Sequence, residues 1–156
     1  MEAFFAALES IGFVEALRFS RWTYAAVNTT HVFAIALLVG GALPLSLRLL
    51  GLWPTVTHAH VARILSTTAG AGLVLAVMSG FLLFATRASE YADLAVFQIK
   101  LVLVLIGGGS AILTHLRYGW DLGRAPHLAL RRAGAVSAIA WSGALILGRS
   151  IAFVGD

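Results

Sequence analysis

Three ionisable side chains lie inside stretches of the sequence that are otherwise apolar enough to cross a bilayer. His31 follows Tyr24 by seven residues, Lys100 follows Asp93 by seven, and Arg149 precedes the C-terminus by seven. At about 1.5 Å per helical residue, each spacing corresponds to a depth of roughly 10 Å. An ionisable group at that depth costs on the order of 3 kcal/mol unless it has a partner or faces a cavity. These residues therefore predict a functional site.

His31, Lys100 and Arg149 form one layer of the bundle, and their residue types favour a ligand that contains both a metal and anionic groups. Imidazole binds iron or copper, and no acidic residue within the apolar segments can pair with the two cations. Haem b would use both kinds of group, with His31 on the iron and Lys100 and Arg149 on the propionates. Three further residues share a helix face with His31 or border the layer and could line the site: Tyr24, Asn28 and Arg87.

Simpler roles are also open to the same residues. Lys100 and Arg149 have long side chains that can extend to the membrane surface, and His31 could simply hydrogen-bond a neighbouring helix. His115 is a second-choice metal ligand, since helical spacing places it on the same face as Lys100 but nearer the other end. Helix lengths place it too far from His31 for the two rings to share one iron.

The composition excludes several classes of function. The chain has no cysteine, and it shows no Ser-His-Asp arrangement, paired carboxylates or HExxH motif. Any enzyme activity would therefore be redox chemistry carried by a cofactor. The net charge of +4 comes from arginines that flank apolar spans, and we expect no nucleic-acid partner.

The elements that carry these residues are membrane-spanning helices. The chain has 156 residues, of which 60% are hydrophobic and 12% charged, and its mean hydropathy is +0.91. A span needs about 20 mostly apolar residues. The sequence predicts one all-α domain over residues 1–156, an antiparallel four-helix bundle in the lipid bilayer preceded by an amphipathic helix on the membrane surface. The four predicted spans are residues 22–47, 64–86, 95–118 and 133–154.

The distribution of arginines predicts the orientation. Of the three connections between predicted spans, the first and the third carry most of the loop arginines, whereas acidic residues dominate the side that holds the termini. Basic loops stay in the cytoplasm, so we expect both termini on the periplasmic side of a bacterial inner membrane. Small residues at small-xxx-small spacing inside the spans predict close helix packing.

Parts of the chain resemble known membrane proteins. The segment SRWTYAAVNTTHVFAIALLVGGALPLSLRLLGL resembles a group of small bacterial four-span membrane proteins. The middle of the chain is similar to the membrane domain of the CopD copper-resistance proteins, and Arg63, Gly80 and the Lys100–Leu101 pair carry that likeness. In size and layout the chain also resembles HemJ, the membrane protoporphyrinogen oxidase. The residues that carry this second likeness are His31, Gly41, Pro44, Arg48, Lys100 and Leu101.

The HemJ resemblance implies that His31 is a haem b ligand and that Lys100 is needed for function. Electron exchange with a quinone, or oxidation of a porphyrin precursor, would then be the reaction. The CopD resemblance implies instead a copper transport or resistance module. A third alternative is a cofactor-free structural subunit that forms a homo-oligomer or docks in a larger membrane complex.

Overall fold

The computed structural model describes residues 2–154, without the side chains of Glu2, His58, His60, Ala152 and Val154. It is all-α, and no strand occurs within the described range. The helices are α1 (Glu2–Glu9), α2 (Gly12–Phe19), α3 (Arg21–Leu50), α4 (His58–Ala85), α5 (Ala88–Ala92), α6 (Ala95–Tyr118) and α7 (His127–Val154). Four of them, α3, α4, α6 and α7, are long and apolar enough to cross a membrane. This confirms the predicted membrane bundle.

The helices differ from the predicted spans mainly at their ends. α3 continues to Leu50, and α4 and α7 each begin six residues earlier than predicted. The added first turns contain polar residues such as Arg63, Arg131 and Arg132. Hydropathy marks only the part of a helix that fits the hydrocarbon layer, so polar helical turns outside it are missed.

Short connections make neighbouring spans antiparallel. We call the end of the bundle that carries α1, α2 and α5 the terminal end, and the end that carries residues 51–57 and 119–126 the loop end. α3 packs against α4 and α7, and α7 packs against α6, whereas α4 and α6 approach each other far less closely. The backbones of α4 and α6 are therefore farther apart than those of the other neighbouring spans.

Glycines set the close approach of α3 and α4. A Cβ at Gly41 would lie 2.6 Å from the backbone oxygen of Leu65, and a Cβ at Gly72 would lie on the backbone of Leu38. Apolar side chains gain little from association in lipid, so close backbone packing is a main source of helix affinity there. The predicted role of small residues in helix packing fits these contacts.

The N-terminal segment forms two short helices rather than one. α1 ends at Glu9 and α2 begins at Gly12. The carboxylate of Glu9 accepts hydrogen bonds from the backbone N–H and the hydroxyl of Ser89, both at 2.8 Å. Arg18 lies 3.7 Å from the same carboxylate. These contacts tie α1 to α5, so the segment covers the terminal end of the bundle.

The connection of residues 119–126 closes the loop end. Leu122 adopts a left-handed backbone conformation with φ of 55°. Its side chain is 1% exposed and packs with Leu45, Ala62 and Leu130. Burial of a leucine contributes about 2 kcal/mol, which offsets the cost of the unusual backbone angle.

Candidate functional site

The His31 ring is held between α3 and α4 by a hydrogen bond. Its Nδ1 lies 2.9 Å from the Ser79 hydroxyl oxygen. The Ser79 hydroxyl donates its one proton to the Leu75 carbonyl at 2.6 Å. Ser79 must then accept from His31, so Nδ1 carries the imidazole proton. Nε2 is left with a free lone pair, the form in which imidazole binds a metal or accepts a proton.

Gly80 of α4 leaves room for the His31 ring, which extends from α3. A Cβ at Gly80 would lie 2.9 Å from Cε1 of His31, which is closer than side chains tolerate. Gly80 lies five residues before the end of α4, about 7.5 Å along the helix. The imidazole therefore lies within the membrane-spanning part of the bundle, toward the terminal end.

Lys100 lies at a similar depth on α6. It is five residues from the start of the helix, again about 7.5 Å. Its half-buried side chain lies against α7, with Nζ 3.7 Å from the position of a Cβ on Gly148. Nζ also lies 5.9 Å from the centre of the Phe97 ring. Lys100 and His31 thus lie at similar depths, on α6 and α3, in the half of the bundle nearer the terminal end.

The other predicted site residues lie at the edge of this layer. Arg149 is exposed, and its guanidinium stacks 4.8 Å from the centre of the Phe153 ring. Arg87 is exposed and pairs with Glu90 at 3.3 Å. Asn28 is exposed, and Tyr24 is 38% exposed. The structure thus places His31 and Lys100 at similar depths inside the bundle and leaves these four residues at the surface.

Aromatic side chains cover the site at the terminal end. Phe84 of α4 stacks on Phe97 of α6, with ring centres 5.3 Å apart. Tyr91 also stacks on Phe97, with ring centres 5.9 Å apart. Phe5 of α1 contacts Phe84 edge-on, with ring centres 6.1 Å apart. Partial burial raises the pKa of the Tyr91 phenol above its ordinary value, so the hydroxyl keeps its proton at neutral pH. The cluster bridges α4 and α6 where they are otherwise apart.

His115 belongs to a different part of the molecule. It lies three residues before the end of α6, at the loop end. Because a carbonyl can only accept, His115 Nδ1 donates to the Gly119 oxygen at 3.2 Å. Its ring stacks on Trp120 at 5.0 Å. His115 and His31 therefore lie toward opposite ends of the bundle, as helix lengths predict.

Sequence reasoning missed the residues that position the two interior groups. Ser79 and Gly80 were not linked to His31, although they lie at the matching height on the antiparallel neighbour. Gly148 was not linked to Lys100. The depth of each residue within its span was the available signal that these residues lie at matching heights. Which helix faces contact each other depends on tertiary packing, which the sequence does not show.

No group of three or more metal-ligating side chains occurs among the residues whose side chains the structure describes. A comparison of the chain with protein-family models, curated proteins and solved structures finds no match.

Proposed function

We propose that the protein binds haem b and that His31 is an axial ligand of the iron. The observation that carries the proposal is the hydrogen bond from His31 Nδ1 to Ser79. Metal-binding histidines characteristically donate their second N–H to a neighbouring group, which fixes the ring and raises the basicity of the ligating nitrogen. Haem already surrounds its iron with porphyrin nitrogens, so one or two protein ligands suffice.

Lys100 is the proposed partner of a propionate. Its ammonium lies at a depth similar to that of the imidazole. A half-buried cation without an acidic residue in any span gains most from an anionic ligand. The exposed Arg149 and Arg87 would contact such a ligand only at its solvent edge.

The bound group would supply one-electron redox chemistry, and the chain would hold and orient it within the bilayer. A quinone or a porphyrin precursor is the proposed redox partner, because both enter from the membrane. We place the protein in a bacterial inner membrane with both termini in the periplasm, on the distribution of arginines.

Absorbance spectra test the proposal. The protein purified in mild detergent from haem-sufficient cells should show a Soret band, with α and β bands after dithionite reduction. His31→Ala should lose these bands. A colourless wild type that also fails to take up added hemin would overturn the proposal, and stoichiometric copper binding would then favour the CopD-like alternative.

A further inference from the structure

An interior cavity of about 260 Å³ lies in the half of the bundle away from His31. All four spans and the connection of residues 119–126 line it. Gly70 and Ser66 of α4 face Gly108 and Ala111 of α6 across it, and Trp141 of α7 forms another wall. It lies where α4 and α6 are apart, so it follows from the helix arrangement rather than from one irregular residue.

The cavity reaches the lipid-facing surface. Ile112 and Leu116 of α6 belong to its lining, yet they are 58% and 80% exposed. A molecule dissolved in the bilayer could therefore enter sideways between α4 and α6. At the loop end the cavity is closed by Leu122, a residue of the connection 119–126 whose side chain is buried.

Aromatic and polar groups share the lining. Trp141 is 4% exposed and Trp120 stacks on His115, so two indole rings border the space. Ser66 is 6% exposed, and its hydroxyl has no hydrogen-bond partner among the described residues. An unpartnered buried hydroxyl costs roughly 1–3 kcal/mol, which an acceptor on a bound molecule would recover.

We propose that this cavity binds a membrane-soluble ring that carries a hydrogen-bond-accepting carbonyl, the chemistry of a quinone head group. The indoles favour a flat ring over an alkyl chain, and the Ser66 hydroxyl supplies a donor. The volume is below the usual range of about 300–1,000 Å³ for drug-sized ligands, so it suits a single ring and is too small for a tetrapyrrole. This site is separate from the His31 site and stands whether or not haem binds there.

The glycines of the bundle offer a matched pair of variants. A Cβ at Gly70 or at Gly109 would meet no neighbouring atom within 4 Å, so both positions accept a side chain. Gly70 lines the cavity, whereas Gly109 does not. Gly70→Leu should fill the space, and Gly109→Leu should leave it open.

The test is quenching of tryptophan fluorescence by decylubiquinone, with the detergent-purified protein. We expect saturable quenching in the wild type and in Gly109→Leu. Gly70→Leu should raise the Kd at least about tenfold, and Ser66→Ala should raise it about twofold to tenfold. The same pattern in a His31→Ala background would show that the site does not depend on haem.

Three results would overturn the inference. Equal Kd values for Gly70→Leu and Gly109→Leu, both folded by circular dichroism, would place the quinone elsewhere. Linear, unsaturable quenching would show partition into the micelle only. If decane displaced decylubiquinone as effectively as a quinone ring without the alkyl chain does, the occupant would be a lipid tail.

Discussion

At the scale of single residues, the orientation of the His31 ring depends on Ser79. The serine hydroxyl is fixed by the Leu75 carbonyl and presents a lone pair to Nδ1. Without that acceptor the ring can rotate or exchange its tautomer. The interior histidine alone suggests a ligand, but its partner defines which nitrogen is available.

Ser79→Ala should therefore lower haem affinity about 10- to 100-fold, the usual effect of losing a group that orients a metal ligand. Haem retained after purification, measured per polypeptide, checks this. Ser150→Ala is the control, because the Ser150 hydroxyl donates only within its own helix, to Ile146. Equal haem retention in both variants would mean that Ser79 does not orient a ligand.

At the scale of elements, two neighbouring glycines of α4 have opposite surroundings. Gly72 meets the backbone of α3, whereas a Cβ at Gly70 would enter open space. Gly72→Ala should force α3 and α4 apart and reduce the free energy of unfolding by about 1–3 kcal/mol. Gly70→Ala should leave it unchanged or raise it by up to about 1 kcal/mol, since alanine favours the helix.

Thermal unfolding in one detergent compares the two alanine variants directly. The melting temperature should fall for Gly72→Ala and stay or rise for Gly70→Ala. Equal losses at both positions would show that α3 and α4 do not approach closely at Gly72.

The attachment of α1 depends on an ionised carboxylate. Hydrogen bonds from Ser89, with a smaller contribution from Arg18, hold the pKa of Glu9 below its ordinary value of 4.5. A lowered pKa in the folded state means that the contact stabilises above about pH 4.5 and is lost as the pH falls through the lowered value. We expect hydrogen exchange in α1, corrected for intrinsic rates, to accelerate between about pH 6 and pH 3.

Glu9→Gln removes the titrating group, so α1 should exchange with little dependence on pH. The exposed Glu15 offers a matched variant, and Glu15→Gln should keep the wild-type response. The same dependence of α1 hydrogen exchange on pH in Glu9→Gln and Glu15→Gln would contradict the role of the Glu9 carboxylate.

At the scale of the whole molecule, orientation follows from charge. Six of the ten arginines lie at or near the loop end, which favours the cytoplasm: Arg48, Arg63, Arg117, Arg124, Arg131 and Arg132. The chain has no cysteine, so single cysteines report on sidedness without background. Ser10→Cys at the terminal end should react with an impermeant maleimide in intact cells, whereas Thr55→Cys at the loop end should react only after permeabilisation. The reverse labelling would invert the topology.

The sequence predicts the spans well because lipid imposes a simple rule, namely long apolar helices joined by short turns. It also places His31 and Lys100 inside spans, where ionisable groups are rare, and their role as site residues stays a prediction. The gap between α4 and α6 could not be predicted, since small residues occur on every span and only tertiary packing decides which of them meet. The break between α1 and α2 was missed because the apolar spacing continues through it.

The most direct test of the central claim is a haem measurement on three proteins purified in parallel: wild type, His31→Ala and His115→Ala. Reduced spectra and the pyridine haemochrome give the haem content of each polypeptide. We expect a b-type spectrum in the wild type and in His115→Ala, and its loss in His31→Ala. Retention of haem in His31→Ala with loss in His115→Ala would move the iron to the loop end and contradict the proposed site.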